Sequence, residues 1–263
     1  MCGIGGYSLS STTGLNATGI TQVLLAGLAE RGQDATGWAW RSADGPIEVR
    51  KASRPLASVI DDVAVAPDAR QGIVHVREYT KGVPGIEDNN HPVRWGRVVG
   101  VHNGHLDNDD ELFAEFGQPR STPVITVDSE AIMMLSDVLG DVGRALELVR
   151  GSAAVAVLRD DHPGRLVLAR RTRRPVVIGH GDGIVLFAST REALDVIARN
   201  AGLRLEIESL KDGTLVEIED GREVARRQFA VDYRFPGRKL VEYPVLPGKE
   251  RLLRTALASL LIA

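Results

Sequence analysis

Between residues 152 and 229 the chain is a succession of short runs rich in Val, Ile and Leu, each closed by a turn signal. The runs cover 152–158, 165–169, 176–179, 184–188, 203–209, 214–218 and 223–229. Asp160-Asp161-His162-Pro163-Gly164, Gly181-Asp182-Gly183 and Asp220-Gly221 separate neighbouring runs, as in hairpins. The first half adds a strand over 4–9, ended by the polar run 10–14. A helix follows, capped by Thr18 or Asn16 and reaching Glu30, with Ile20, Val23, Leu24, Gly27 and Leu28 at helical spacing. Further strands are expected over 36–41, 47–51, 72–76 and 97–102, and helices over 109–116 and 129–139. Many short strands with few helices and no regular βαβ alternation mean an α+β domain with mostly antiparallel sheets. The apolar run 153–158 implies a strand covered on both faces. No linker long enough to divide residues 1–240 is present, so a single domain over 2–240 is expected, with a tail over 241–263.

Charge narrows the partners. Lys and Arg total 32 against 35 Asp and Glu, a formal charge of −3, which gives no electrostatic footprint for nucleic acid or an anionic membrane. No segment approaches the roughly 18 apolar residues needed to span a bilayer. No basic segment precedes an apolar run at the N-terminus, so a cytoplasmic protein without a signal peptide is expected. Gly179, Gly181 and Gly183 lie between two expected strands with no helix directly after them. They read as a hairpin turn rather than a phosphate cradle. Near the end, Leu252, Leu253, Ala256, Leu257, Leu260 and Leu261 form one apolar stripe on a short helix over 248–262. Packing on its own domain is the favoured reading of that stripe, and docking to a partner is the alternative.

The single cysteine excludes an intramolecular disulfide framework and a multi-cysteine zinc site. It is the second residue. Removal of Met1 would leave Cys2 with a free α-amine beside its own thiol. An α-amine titrates near 7.7–8.0 and a thiol near about 8.5, so the amine can act as base for the side chain without a histidine. Taken alone, a cysteine here is more often an inert small residue.

Five segments occur in order: Met1-Cys2-Gly3-Ile4; Arg31-Gly32-Gln33-Asp34-Ala35-Thr36-Gly37; His75-Val76-Arg77 with Thr80; His102-Asn103-Gly104; and Val127-Asp128-Ser129-Glu130. Together they resemble the glutaminase domain of class II glutamine amidotransferases. They are most similar to the domains of glucosamine-6-phosphate synthase and glutamine phosphoribosylpyrophosphate amidotransferase. The resemblance covers about residues 2–230. It implies the N-terminal nucleophile hydrolase fold, an αββα four-layer sandwich of two mostly antiparallel sheets between helical layers.

The resemblance makes Cys2 the nucleophile and Asn103 with Gly104 the oxyanion hole, where a side-chain amide and a backbone N–H can hold the developing charge. A tight hairpin turn is the other reading of Asn103-Gly104. Arg77 and Asp128 would hold the carboxylate and ammonium of glutamine, with the Thr80 hydroxyl beside Arg77. A surface ion pair for Arg77 and a helix cap for Asp128 stay open. Arg31 and Asp34 are implied as supports beside the nucleophile, while Gly32 serves equally as a helix stop. His75, His91 and His102 read as hydrogen-bonded structural residues, and none has metal-ligand spacing of the H-E-x-x-H type. No metal and no cofactor are expected.

One position departs from the family pattern. Glu78 follows the arginine where an aromatic residue is usual, in the loop expected to close over glutamine, and this puts lid closure in doubt. No pyrophosphate-binding or phosphoribosyl-type motif is found, so the ammonia acceptor is expected on a separate synthase, and a homo-oligomer stays open. Two alternatives accompany the glutaminase reading: an amidase for larger γ-glutamyl compounds, and a catalytically silent regulatory subunit if Met1 is retained.

Overall fold

The computed structural model describes residues 2–43, 45–237 and 245–260. The chain order is β1 (Gly3–Leu9), α1 (Ala17–Leu28), β2 (Ala35–Ser42), β3 (Glu48–Ala52), β4 (Ala69–Arg77), β5 (Val93–Trp95) and β6 (Val98–Leu106). Then come α2 (Asp109–Glu115), α3 (Ser129–Leu139), α4 (Val142–Leu148), β7 (Gly151–Arg159), β8 (Arg165–Thr172), β9 (Val177–Gly181) and β10 (Ile184–Ala188). The last elements are α5 (Arg191–Asn200), β11 (Glu206–Ser209), β12 (Thr214–Glu219), β13 (Arg222–Gln228) and α6 (Lys249–Leu260).

The strands form a seven-stranded sheet, β11-β9-β10-β1-β4-β2-β3, and a six-stranded sheet, β13-β12-β8-β7-β6-β5. Every pairing among them is antiparallel. Period-two alternation explains why there are three cores rather than one. In β7, Ala153, Val155 and Val157 pack against α3 and α4, whereas Ala154, Ala156 and Leu158 face the other sheet. The expectation of a strand covered on both faces is therefore met. On the seven-stranded sheet Val74, Val76 and Trp38 meet α1, α5 and α6, and Ile4, Ile73 and Ile178 point into the space between the sheets. The result is an α+β, αββα four-layer sandwich.

Asn16 caps α1, its side chain accepting the Gly19 N–H at 3.1 Å. The sequence reading missed β5, α4 and α5. Helix α5 carried a usable signal, because Ala193, Leu194 and Ile197 recur at helical spacing and are fully buried. The Asp182-Gly183 turn joins β9 to β10 with Ile184 opposite Gly181, as a hairpin. Leu252, Ala256 and Leu260 of α6 are buried in the core that α1 builds, so this helix covers its own domain. Leu261 of the expected stripe, Ile262 at the end of the expected helix, Met1, and the boundary placed after residue 240 fall outside the described residues. No described helix is long and apolar enough to cross a membrane.

Candidate active site

The same alternation that separates the cores gathers the site. Ile4 points between the sheets, so Cys2, two positions earlier, is aimed the same way. On β4 the odd positions Ile73, His75 and Arg77 share that face, and on β6 so do Val99, Val101 and Asn103. His75, opposite Ile4 in the register, donates from Nε2 to the His102 carbonyl at 3.1 Å across the gap. That bond ties β4 to the residue preceding Asn103.

Cys2 is 9% exposed. Its Sγ donates to the Glu78 carbonyl at 3.5 Å. Burial pushes the thiol up to about 11; Arg77 and Arg31 pull it down, while Asp128 adds to the rise. A guanidinium and a carboxylate thus act on one sulfur from opposite sides of the charge scale. Arg31 is buried and donates from Nε to the Cys2 carbonyl at 3.1 Å, which fixes the peptide that carries the thiol.

Arg77 is buried rather than paired on the surface, so the surface ion-pair alternative is excluded. It donates from Nη1 to Asn90 Oδ1, and from Nη2 to the carbonyls of Lys81, at 2.7 Å, and Gly82. Burial lowers its pKa, and the nearby charges of Cys2, Asp128 and Asp34 oppose that fall. Asp34 is exposed. It bridges the strand end and the loop, donating its N–H to the Arg77 carbonyl at 2.9 Å and accepting the Tyr79 N–H at 2.6 Å. Gly32 ends a short 3-10 turn, yet its lack of a side chain matters more. A Cβ there would lie 2.3 Å from the Arg77 carbonyl carbon.

Asp128 occupies the residue before α3, but its carboxylate does not cap that helix. Oδ2 instead accepts the Leu106 N–H at 2.7 Å, linking α3 to the end of β6, and the helix-cap alternative fails for that reason. His105 Nδ1 lies 3.6 Å from the same oxygen. Asn103 and Gly104 lie within β6 opposite Ala154 and Ala153, so they are not a hairpin turn. Strand β5 reaches only to Gly100, which leaves the outer edge of β6 beyond that point without a strand partner among the described residues. Asn103 is fully buried, and neither its Nδ2 nor its Oδ1 has a hydrogen-bond partner among the described residues. An unpaired buried amide costs about 1–3 kcal/mol, so its retention calls for a use. Thr80 is exposed, and its hydroxyl makes no hydrogen bond to Arg77's guanidinium among the described residues.

His75, His91 and His102 cluster behind these residues, the first two stacked with centroids 4.1 Å apart. Burial drives His75 down to about 3, and lowers His91 and His102 as well. Neutral and enclosed, they are structural in His75 and His102, where hydrogen bonds hold the rings. His91 departs from the expectation: neither ring nitrogen has a partner among the described residues. No group of three or more His, Cys, Asp or Glu among those residues is placed to hold a metal.

The sequence profile of the glutamine amidotransferase domain matches residues 83–196. The chain is 37% identical over 199 residues to glutamine–fructose-6-phosphate aminotransferase (isomerizing) of Corynebacterium efficiens, covering 70% of this chain and 32% of that protein. With a Thermus thermophilus enzyme of the same name it shares 32% over 248 residues, covering 89% and 39%. Glutamine phosphoribosylpyrophosphate amidotransferase of B. subtilis has the same fold, with TM-score 0.68 at 18% identity over 88% of this chain and 50% of that one. This chain carries a class II glutamine amidotransferase domain. It spans between 32% and 39% of the length of those two aminotransferases.

Reasoning from the sequence of this amidotransferase domain missed a second tier of residues. Asn89 and Asn90 are fully buried; Asn90 receives Arg77, and Asn89 Oδ1 accepts the N–H groups of Thr126 and Val127 at 2.7 and 3.1 Å. Lys81 bonds Asp109 at 2.8 and 2.6 Å and Asp110 at 3.1 Å. Arg120 joins the same two carboxylates and reaches Glu130 and the Val127 carbonyl. Nothing in the spacing of these charges marks them; only the loop-to-helix packing does.

Proposed function

We propose that this amidotransferase domain hydrolyses the side-chain amide of glutamine through a thioester on Cys2 and releases ammonia for a synthase. The observation that carries this reading is that the Cys2 thiol feels two buried charges of opposite sign, Arg77 lowering and Asp128 raising its pKa, a cation and an anion matched to an α-amino acid's two charged ends. Cys2 Sγ attacks the amide carbon. Because burial holds the thiol protonated at neutral pH, attack needs a base at the sulfur, and the α-amine exposed by loss of Met1 supplies it. The amine passes that proton to the departing ammonia. Asn103 Nδ2 and the Gly104 N–H hold the oxyanion, which accounts for the buried, unpartnered carboxamide. Water then attacks the γ-glutamyl thioester, giving glutamate and the free thiol. Arg31 and Asp34 act as supports, through the Cys2 carbonyl and the Arg77–Tyr79 segment.

The acceptor chemistry is proposed to lie outside these 263 residues, in keeping with relatives named for amino transfer to fructose 6-phosphate that are more than twice as long. The test is ammonia release from glutamine, with intact mass measured on the same sample. Cys2→Ala abolishes release without unfolding the domain, and the active sample lacks Met1. Full activity in Cys2→Ala would exclude the mechanism.

A further inference from the structure

In the glutamine-binding reading, a carboxylate must dock on Arg77. An arginine grips a carboxylate with two parallel N–H groups, either Nη1 with Nη2 or Nε with Nη2. Both modes need Nη2. Here Nη2 already donates to two carbonyls, those of Lys81 and Gly82. The same loop sets the Glu78 carbonyl on the Cys2 thiol, which is only 9% exposed. One segment therefore covers the nucleophile and occupies the cation of the carboxylate subsite.

What holds the segment down is also on view. At one end the Tyr79 N–H bonds Asp34. At the other, Lys81 Nζ is clasped by Asp109, whose side chain is 4% exposed, and by Asp110. Arg120 bonds both of those carboxylates and also the carbonyl of Val127, the residue before Asp128. The clasp thus links the loop to the peptide that carries the other glutamine-binding charge.

We propose that the 78–82 loop is a self-inhibitory strap whose carbonyls occupy the glutamine site, and that Lys81, clasped by Asp109 and Asp110, is the residue that keeps it there. This rests on the glutaminase reading for its meaning but not for its test. Glutamine enters only when the strap lifts, and whatever competes for the Lys81 clasp, high ionic strength included, promotes lifting. Lys81 is a positioning residue: it touches the strap's anchor and not the substrate.

Cys2 is the only thiol, so iodoacetamide labelling followed by mass spectrometry reads access to the site directly. Wild-type protein should label slowly, and faster when salt is raised from about 0.05 to 0.5 M. Lys81→Met should label about tenfold faster with little salt dependence, the order expected for losing a partly buried charge pair (about 1.4 kcal/mol per decade). Lys81→Arg should restore slow labelling. Loss of a nearby cation would by itself raise the thiol pKa and slow the reaction, so acceleration reports opening. An unchanged melting temperature excludes unfolding as the source, and the salt response of the wild type needs no variant at all. Wild-type labelling that ignores salt, or a Lys81→Met rate equal to wild type, overturns the strap. Faster labelling in a protein that never releases ammonia upholds the strap and rejects the glutaminase reading instead.

Discussion

His75 offers a prediction whose size follows from its surroundings. It is fully enclosed between the sheets, stacked on His91, and burial lowers its pKa from 6.5 to about 3. The unfolded chain would protonate the same imidazole near 6.5. A base whose folded pKa is depressed contributes stability above the unfolded value and loses it as pH falls toward the folded one. Between about pH 7 and pH 4.5 the unfolded state gains about three-quarters of a proton and the folded state gains almost none. At about 1.4 kcal/mol per unit, roughly two units cost about 2–3 kcal/mol from this residue alone. That is a large share of the about 5–15 kcal/mol typical of a domain. His75→Gln is the matched perturbation, because the Gln amide N–H can still donate to the His102 carbonyl that now accepts from Nε2 at 3.1 Å. Urea unfolding followed by tryptophan fluorescence at the two pH values gives the difference for each protein. Carboxylates and the other histidines are common to both proteins, so the variant should lose about 2–3 kcal/mol less than wild type on acidification. Equal losses would refute the reading of His75 as a neutral, water-excluded residue and reopen it as a group that ionises in the folded domain.

Four further substitutions separate binding from chemistry and packing from both. Asn103→Ala should lower kcat for glutamine by roughly 10²–10³ through loss of an oxyanion donor, whereas Arg77→Ala and Asp128→Ala should chiefly raise KM; steady-state kinetics gives the split, and an unchanged kcat in Asn103→Ala rejects the oxyanion assignment. Gly32→Ala places a methyl 2.3 Å from the Arg77 backbone and should destabilise the domain by about 1–3 kcal/mol in urea unfolding, with a raised KM as Arg77 is displaced.

Local chemistry set much of this protein before any tertiary contact was considered. The strand over 184–188 and the helix over 129–139 stand where the sequence places them, because alternation and helical spacing are properties of neighbouring residues. The ordered segments around Cys2, Arg77, Asn103 and Asp128 likewise led to the amidotransferase family, since the chemistry of an amide-cleaving site prescribes residue types. Helix α5 was legible and unread. The tertiary structure decided what those residues do to one another. Asp128 stands where a helix cap should, yet its carboxylate serves the Leu106 amide, a choice that depends on where β6 ends. Asn103-Gly104 has the composition of a turn and lies inside a strand, because β7 supplies a partner along its whole length. Thr80 matches a motif position and is exposed, whereas Lys81 beside it matches no expectation and meets Asp109 on a helix 28 residues away in sequence. Burial and long-range ion pairing belong to the packed chain, so the shift of the Cys2 thiol and the clasp on its covering loop have no local signature.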